Sequence, residues 1–374
     1  MIIGVPKEIK KLEYRVGLTP ASAKAYIKAG HQVLIQQDAG FGSGFSNEEY
    51  VQVGCKILST IQEVYAKSEM IIKVKEPLEE EFNLLRPNQI LYTFLHLAAA
   101  KPLTDALLKH KVTSIAYETI KDINGRLPVL RPMSEVAGRL AVQEGAKYLE
   151  KSYGGRGVLL GGIPGVEPGH VVVLGANGYA GFNATQIALG MQAKVTAIDV
   201  KFNQVETLLP FANGRLTMLP SNETNILQSI QHADLVVSTV LIPGDAAPKL
   251  IKKSYLKMMP KGSVIVDVAI DQGGSTETSK VTYHDQPIYE VDGVIHYCVA
   301  NMPGAVPRTS TIGLNQATLP FGLAIANLGF KEAMKKDPGL ASGLNTYQGK
   351  ITFPALAQLF NLPLLAVTEV ISTR

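Results

Sequence analysis

Only two cysteines, Cys55 and Cys298, occur in the 374 residues, too few for a disulfide framework. Free cysteine is among the residue types most often buried. Both are therefore expected as buried thiols of a protein in a reducing compartment. Long apolar runs are missing too. No stretch approaches the roughly 18 residues that span a bilayer, and "LPFGLAIANLGF" is read as a buried helix. The N-terminus, "MIIGVPKEIKK", lacks the basic start, apolar core and small-residue cleavage site of an export signal. The expected location is cytoplasmic. Neither charge sign dominates: 36 Lys and Arg stand against 32 Asp and Glu. Basic residues are mixed with acids, as in "KKLEYR" and "KVKEPLEEE", which offers no stripe for nucleic acid. No His, Cys and carboxylate cluster has metal-ligand spacing, so no metal is expected. "GGRG" and "GGIPG" lack the lysine and hydroxyl residue of a P-loop, and no G-x-S-x-G turn occurs.

What is present describes a folded chain. Hydrophobic residues make up 46% and charged residues 18%, and the length suits two domains. The first 125 or so residues alternate short apolar runs with helical patterns, including "MIIGVPK", "HQVLIQ", "EMIIKVK", "QILYTFLHL" and "TSIAYET". Thr19-Pro20 fits an N-cap followed by proline in the first turn, with Gly30 closing that helix. A long helix is expected over 133–153 with Ser134 as its N-cap. A second alternation then runs "HVVVLG", "KVTAID", "RLTMLP", "ADLVVSTV", "SVIVDVAID" and "IHYCVAN", with helices between. Strands with short crossovers form doubly wound, mostly parallel sheets. The expected fold is α/β with two Rossmann-like domains. Residues 1–127 and 305–374 form a discontinuous substrate domain, and residues 128–304 a nucleotide domain. The segment after "MPGAVPRTST" reads as helical and too short for its own core.

"VLGANGYAG" joins the first strand of the second alternation to a helix. Its glycines, Gly175, Gly178 and Gly181, are spaced G-x-x-G-x-x-G instead of G-x-G-x-x-G. On its own the pattern also suits an ordinary strand-to-helix turn. The context favours a pyrophosphate turn, because a helix N-terminus presents N–H groups and a positive dipole to an anion. Gly175 permits the tight turn and Gly181 close helix packing. Asn177 fills the usual second-glycine slot, so Gly178 takes over the close approach. Asp199 ends "KVTAID", where a carboxylate accepts ribose hydroxyls and repels a 2′-phosphate. NAD is favoured over NADP, with Lys201 weakening the preference. The alternative for Asp199 is a solvated strand end.

Four ionisable residues sit in apolar surroundings: Arg15 in "EYRVGLTP", Lys75 in "MIIKVKEP", His96 in "LYTFLHLAAA" and Asp271 closing "VIVDVAID". Burying a charge without a partner is costly, so each is either neutralised or at a cleft edge. Singly, each has a plain alternative. Arg15 reads as a surface loop cation, and Lys73 or Lys75, expected on one strand face, as a solvated edge lysine. His96 reads as a satisfied core residue. Asp267, expected on the same strand face as Asp271, reads as structural. Together they suit a site.

The segments "GVPKEIKKLEYRVGLTP", "KVKEP", "LHLA", "SIAYET", "PMSEVAGRLAVQEGA", "GGRGVLLGGIPGVEP", "VDVAIDQGG" and "YCVANMPGAVPRTST" resemble alanine dehydrogenase of the bacterial type, essentially end to end. The resemblance implies reversible oxidative deamination of L-alanine to pyruvate and ammonium with NAD, in alanine catabolism, by a homo-oligomer, a hexamer. It places Arg15 and Lys75 on the substrate and His96 and Asp271 as acid–base residues. It gives cofactor positions to Ser134, Tyr179, Ala180, Asp199, Ser221, Val240 and Leu241. Val268, Ala269, Ile270, Lys280, Val299, Ala300, Asn301 and Met302 complete that set. The chain departs from relatives in a glycine loop one residue longer, and in Lys280 and Gln204 where some carry Arg and Lys. The rival reading is a soluble NAD(H)-binding component related to proton-translocating transhydrogenase, which would not need all four ionisable residues.

Overall fold

The computed structural model describes residues 1–240 and 247–372. The chain divides into two units, Met1–Met133 with Val306–Arg374, and Ser134–Ala305. The first unit contributes β1 (Ile2–Val5), β2 (Gln32–Gln36), β3 (Lys56–Leu58), β4 (Met70–Ile72), β5 (Ile90–Thr93) and β6 (Thr113–Ala116). The second holds β7 (His170–Leu174), β8 (Lys194–Asp199), β9 (Leu216–Pro220), β10 (Leu235–Ser238), β11 (Val264–Asp267), β12 (Ile288–Val291) and β13 (Val294–Tyr297). The first unit is completed by β14 (Leu344–Tyr347) and β15 (Lys350–Ile351).

The first sheet runs β15-β14-β6-β5-β4-β1-β2-β3, and the second β12-β13-β11-β10-β7-β8-β9. Strands β1–β6 pair in parallel, as do β7–β11 with β13; only β12, β14 and β15 are antiparallel. In each sheet the unit's first strand lies in the middle and the order reverses beside it. The reversal falls between β1 and β4 in one sheet and between β7 and β10 in the other. A crevice opens at the carboxyl end of such a switch point, because the flanking crossovers leave toward opposite faces. Both units are doubly wound α/β layers. Central strands are covered on both faces and so read as unbroken apolar runs, as "VVVL" of β7 does, all four buried.

Local chemistry sets several boundaries as expected. Thr19 accepts the Ser22 N–H at 3.1 Å, and Pro20 opens the helix Pro20–Lys28. Gly30, at φ +89°, lets its N–H reach the Ile27 carbonyl (2.9 Å) and His31 N–H reach that of Tyr26 (3.1 Å). This paired closure satisfies the last carbonyls of the helix. Cys55 and Cys298 are buried and free of disulfides. Burial pushes their thiols up, to about 12 and about 11.

Elsewhere the structure departs from the pattern. The long helix spans Arg131–Tyr148, and a short 3-10 turn, Lys151–Tyr153, follows it. Ser134 is thus inside the first turn and is not the N-cap. Pro132 was the missed start signal, since proline is tolerated only where its absent N–H would have no helical partner. Two expected crossover helices are 3-10 turns, Val205–Phe211 with Pro210 inside it, and Lys253–Met258. The C-terminal segment is not wholly helical: it adds β14 and β15 to the edge of β6. Its strands are too short to show a period, and only pairing with β6 defines them.

Candidate active site

The carboxyl edge of the second sheet collects nearly every residue singled out for a cofactor. The turn Gly175–Gly181 follows β7, Asp199 ends β8, Ser221 follows β9 and Val240 lies two residues past β10. Val268–Asp271 follow β11, and Val299–Met302 begin two residues past β13. Leu241 lies outside the described residues. Two members stand off the strand ends. Lys280 is exposed in the segment between β11 and β12, its N–H on the Tyr289 hydroxyl at 2.7 Å. Ser134 is on the long helix, one turn before Gly138. A Cβ at Gly138 would lie 2.0 Å from the Ala180 carbonyl oxygen. That helix face therefore packs on the start of the helix Tyr179–Gly190, and Ser134 shares the face at i,i+4 spacing.

The glycines of the turn divide the work differently from a simple fingerprint. Gly175 has φ +79°, and a Cβ there would come within 3.0 Å of the Val240 nitrogen. At Gly181 a Cβ would lie 2.1 Å from the Gly175 oxygen, so helix and turn touch only because it is absent. Gly178 differs. Its backbone is extended (φ −75°, ψ 165°), and a Cβ would meet nothing closer than the Gly175 oxygen at 3.7 Å. No described part of the fold requires glycine there. Gly178 is also the N-cap of the helix and offers it no side-chain acceptor, which leaves the first turn suited to an anion.

Asp199 is not a simple solvated strand end. Its Oδ2 accepts the Asn177 N–H at 2.8 Å, and its Oδ1 accepts those of Val200 (2.7 Å) and Lys201 (3.2 Å). A carboxylate has about four acceptor positions, so one remains on Oδ2.

Asp267 and Asp271 do not share a strand face. Strand β11 stops at Asp267, and Val268–Gln272 form a 3-10 turn. Asp267 is fully buried and accepts from the Ala269, Ser275 and Thr276 N–H groups and the Ser275 and Ser279 hydroxyls. Such local side-chain bonding competes with the ladder and ends the strand. The structural reading of Asp267 holds, and the turn it caps presents Asp271 at the surface.

In the first unit the ionisable residues gather where β1, β4 and β5 end. Arg15 is 2% exposed, so it is no surface cation. Its Nε and Nη2 donate to the two carboxylate oxygens of Glu13 at 2.7 and 2.6 Å, and its Nη1 to the Met133 sulfur at 3.2 Å. The neighbouring Gly17 lies so close to β4 that a Cβ would be 2.4 Å from the Ile72 oxygen. Strand β4 ends at Ile72, so Lys73 and Lys75 belong to the segment beyond it and not to a strand face. Lys73 is fully buried between Glu8 and Glu81, 3.0 Å from each. Burial alone would lower its pKa, but the two carboxylates outweigh it and hold the ammonium well above its usual range. Burial pushes Glu8 up, against the pull of Lys73. Glu8 also accepts the N–H groups of Val74 (2.7 Å) and Lys75 (3.3 Å), which anchors the backbone under Lys75. Beside it, burial would raise Glu76, yet Lys75 and Lys10 hold it below the usual carboxylate range.

His96 is exposed, not a satisfied core residue. Its backbone is left-handed (φ 48°, ψ 40°), and its ring stacks on Phe94 at 5.8 Å with an interplanar angle of 8°. Glu118 accepts the His96 N–H at 2.7 Å and the Leu95 N–H at 3.2 Å. The Thr93 hydroxyl donates to the Lys75 carbonyl at 3.1 Å, tying the Lys75 and His96 segments together. Left-handed backbone at a residue other than glycine costs of order 1–3 kcal/mol and persists where surroundings impose it.

Each of the three first-unit residues thus rests on a carboxylate that sequence reasoning passed over: Glu13 under Arg15, Glu8 under Lys75 and Glu118 under His96. Only Glu13 carried a local signal, two residues from its partner in "EYR". Among the described residues no group of His, Cys, Asp and Glu is arranged to hold a metal ion, and no helix is long and apolar enough to cross a membrane. A cavity of about 620 Å³ lies at the opposite, amino edge of the second sheet, near His170, Lys194 and Arg215. Ion pairs line it, Arg156–Asp234 at 2.8 Å and Lys194–Glu167 at 2.9 Å, and none of the candidate residues does.

Comparison with known proteins adds the chemistry. Residues 4–137 match the family described as Alanine dehydrogenase/PNT, N-terminal domain, and residues 141–354 match Alanine dehydrogenase/PNT, C-terminal domain. The chain is 55% identical to the alanine dehydrogenase of Methanococcus maripaludis, over 97% of each chain. It is 48% identical to that of Mycolicibacterium smegmatis, over 97% of this chain and 98% of the relative. A solved L-alanine dehydrogenase superposes with a TM-score of 0.93 at 48% identity, covering 96% of this chain and 99% of the other. A transhydrogenase structure from Sinorhizobium meliloti, at TM-score 0.81 and 24% identity, shares the fold.

Proposed function

The chain belongs to the alanine dehydrogenase/PNT family, and from that premise we propose that it is an L-alanine dehydrogenase. It interconverts L-alanine and water with pyruvate and ammonium, coupled to hydride exchange with NAD. One observation carries the reading: 55% identity over 97% of both chains to a relative bearing that name. The similarity to transhydrogenase is more distant and concerns the fold alone.

NAD as the cofactor and the residues that serve it are the finer part of the proposal. The carboxyl edge of the second sheet fits a dinucleotide. Gly178 leaves room that no described part of the fold needs, the helix after it lacks a side-chain cap, and Asp199 keeps one acceptor position. Held by the turn Gly175–Gly181 and Asp199, a bound NAD would supply the hydride acceptor for the alanine Cα.

Binding, orientation and proton movement remain for the chain. Arg15, fixed by Glu13, grips the substrate carboxylate, which a planar guanidinium matches at two oxygens. Lys75 sets a point charge toward the oxo group of pyruvate. With the alanine amine deprotonated, hydride departure leaves an iminium, which water attacks. His96 removes a proton from that water and returns it to nitrogen, and the carbinolamine hydroxyl gives up its own proton to the departing ammonia, which leaves as ammonium. The shuttle suits imidazole near neutral pH. Asp271 attracts the ammonium and orients water. Alanine catabolism, a cytoplasmic location and a homo-hexamer complete the reading from the family resemblance, and a sedimentation mass of six chains is expected.

The decisive assay follows NADH absorbance. Consumption is expected with pyruvate plus ammonium. Equal consumption with lysine in place of ammonium, or with no amine, would sink the assignment, and equal rates with NADPH would remove the NAD preference. For the substrate grip, Arg15→Lys keeps a cation beside buried Glu13 but loses the planar fork. It is expected to raise the KM for pyruvate by about 10-fold with a smaller change in kcat; an unchanged KM removes Arg15 from the site.

A further inference from the structure

Asn177, which makes the glycine turn one residue longer than G-x-G-x-x-G, bonds across to the segment after β8. Asn177 donates its backbone N–H to Asp199 Oδ2 at 2.8 Å. Its Nδ2 donates to Asn203 Oδ1 at 2.9 Å, and its Oδ1 accepts the N–H groups of Gln204 (2.8 Å) and Val205 (3.2 Å). Two backbone donors on one oxygen leave no doubt about which way the amide faces. One side chain therefore fastens the turn after β7 to the segment after β8. The same segment carries Val200 and Lys201, whose N–H groups hold Asp199 from the other side. Val205, at the far end, is fully buried, which anchors the clamp to the core.

We propose that Asn177 is a positioning residue for the adenosine half of the dinucleotide. It joins the pyrophosphate turn to the ribose-recognising end of β8 and holds both in one geometry before the cofactor arrives. The inference rests on the NAD reading given above. Its physical basis is preorganisation: a turn and an acceptor already ordered do not have to be ordered at the expense of binding. In G-x-G-x-x-G the second position must be small and makes no side-chain bonds. Here the added residue supplies them, and Gly178 keeps the small position next to the helix.

Asn177→Ala retains the backbone bond to Asp199 and removes the three side-chain bonds. The expected result is a dissociation constant for NADH raised about 10-fold, with ADP-ribose weakened in parallel, from the loss of several modest hydrogen bonds. Nicotinamide mononucleotide, which lacks the adenosine, should change far less. In turnover the loss falls on the KM for NAD more than on kcat. A merely structural defect would instead weaken all three ligands and lower kcat. Asn203→Ala removes one of the same bonds from the other side and should raise the NADH constant about threefold. Adding it to Asn177→Ala should cost nothing more.

Equal NADH and ADP-ribose affinities in wild type and Asn177→Ala overturn the proposal. Should that variant fail to fold, Asn203→Ala decides by the same criterion. If the wild-type protein binds neither NADH nor ADP-ribose, the nucleotide reading itself falls. Binding by wild type with no loss in the variants removes only the clamp.

Discussion

His96→Asn is expected to lower kcat by about 10²-fold or more while the protein still binds NADH and melts near the wild-type temperature. The choice of asparagine follows from the backbone. His96 sits at φ 48° and ψ 40°, and asparagine tolerates left-handed backbone better than most residues. Alanine would add conformational strain to the loss of the imidazole and blur the result. The ring is accessible in a way that a core histidine is not. His296, for example, is fully buried, and burial lowers its pKa. His96 is exposed, stacked flat on Phe94 and fixed at its backbone by Glu118. Asp271→Ala is expected to produce a loss of similar size from the other unit. Near-wild-type kcat in both variants would remove the acid–base assignment, and loss of NADH binding in His96→Asn would point to misfolding instead.

Gly178→Val is expected to weaken NADH binding by at least about 10²-fold with little change in stability. Valine suits an extended backbone at φ −75° and ψ 165°. A Cβ at this position meets no described protein atom within 3.7 Å. The branched side chain intrudes on whatever approaches the helix N-terminus, and a pyrophosphate needs backbone N–H groups at hydrogen-bonding distance. Gly181→Val would be a poor substitute, since a Cβ there lies 2.1 Å from the Gly175 oxygen and the fold itself would shift. Calorimetric titration with NADH beside a melting curve separates the two effects. Unchanged affinity in a well-folded Gly178→Val would move the pyrophosphate away from this turn.

Much of the architecture was legible because it is written in local terms. Strand "HVVVL", turn "GANGYAG", the helix after it and the acid ending "KVTAID" are contiguous signals, and each is found where the pattern placed it. Thr19, Pro20 and Gly30 likewise act on neighbours within a few residues. The local reading failed where a local preference was overridden. Asp267 ends β11 early by drawing five donors to itself, four of them from residues 275–279. The end of the chain looked helical because strands of four and two residues carry no period, and only their pairing with β6 reveals them.

By itself the sequence determined the two alternating units, the glycine turn between strand and helix, the candidate ionisable residues and, through long ordered segments, the family. Only the tertiary structure decided what those ionisable residues rest on. Lys73 and Lys75 look alike in "KVKEP", yet one is buried in a carboxylate pair and the other stands beyond the anchor made by Glu8. Lys73 lies 65 positions from Glu8 and His96 22 from Glu118, separations across which periodicity and spacing carry no information. The cost of burying a charge is met by whichever opposite charge the topology brings beside it. That partner is a property of the folded sheet edge and not of any stretch of chain.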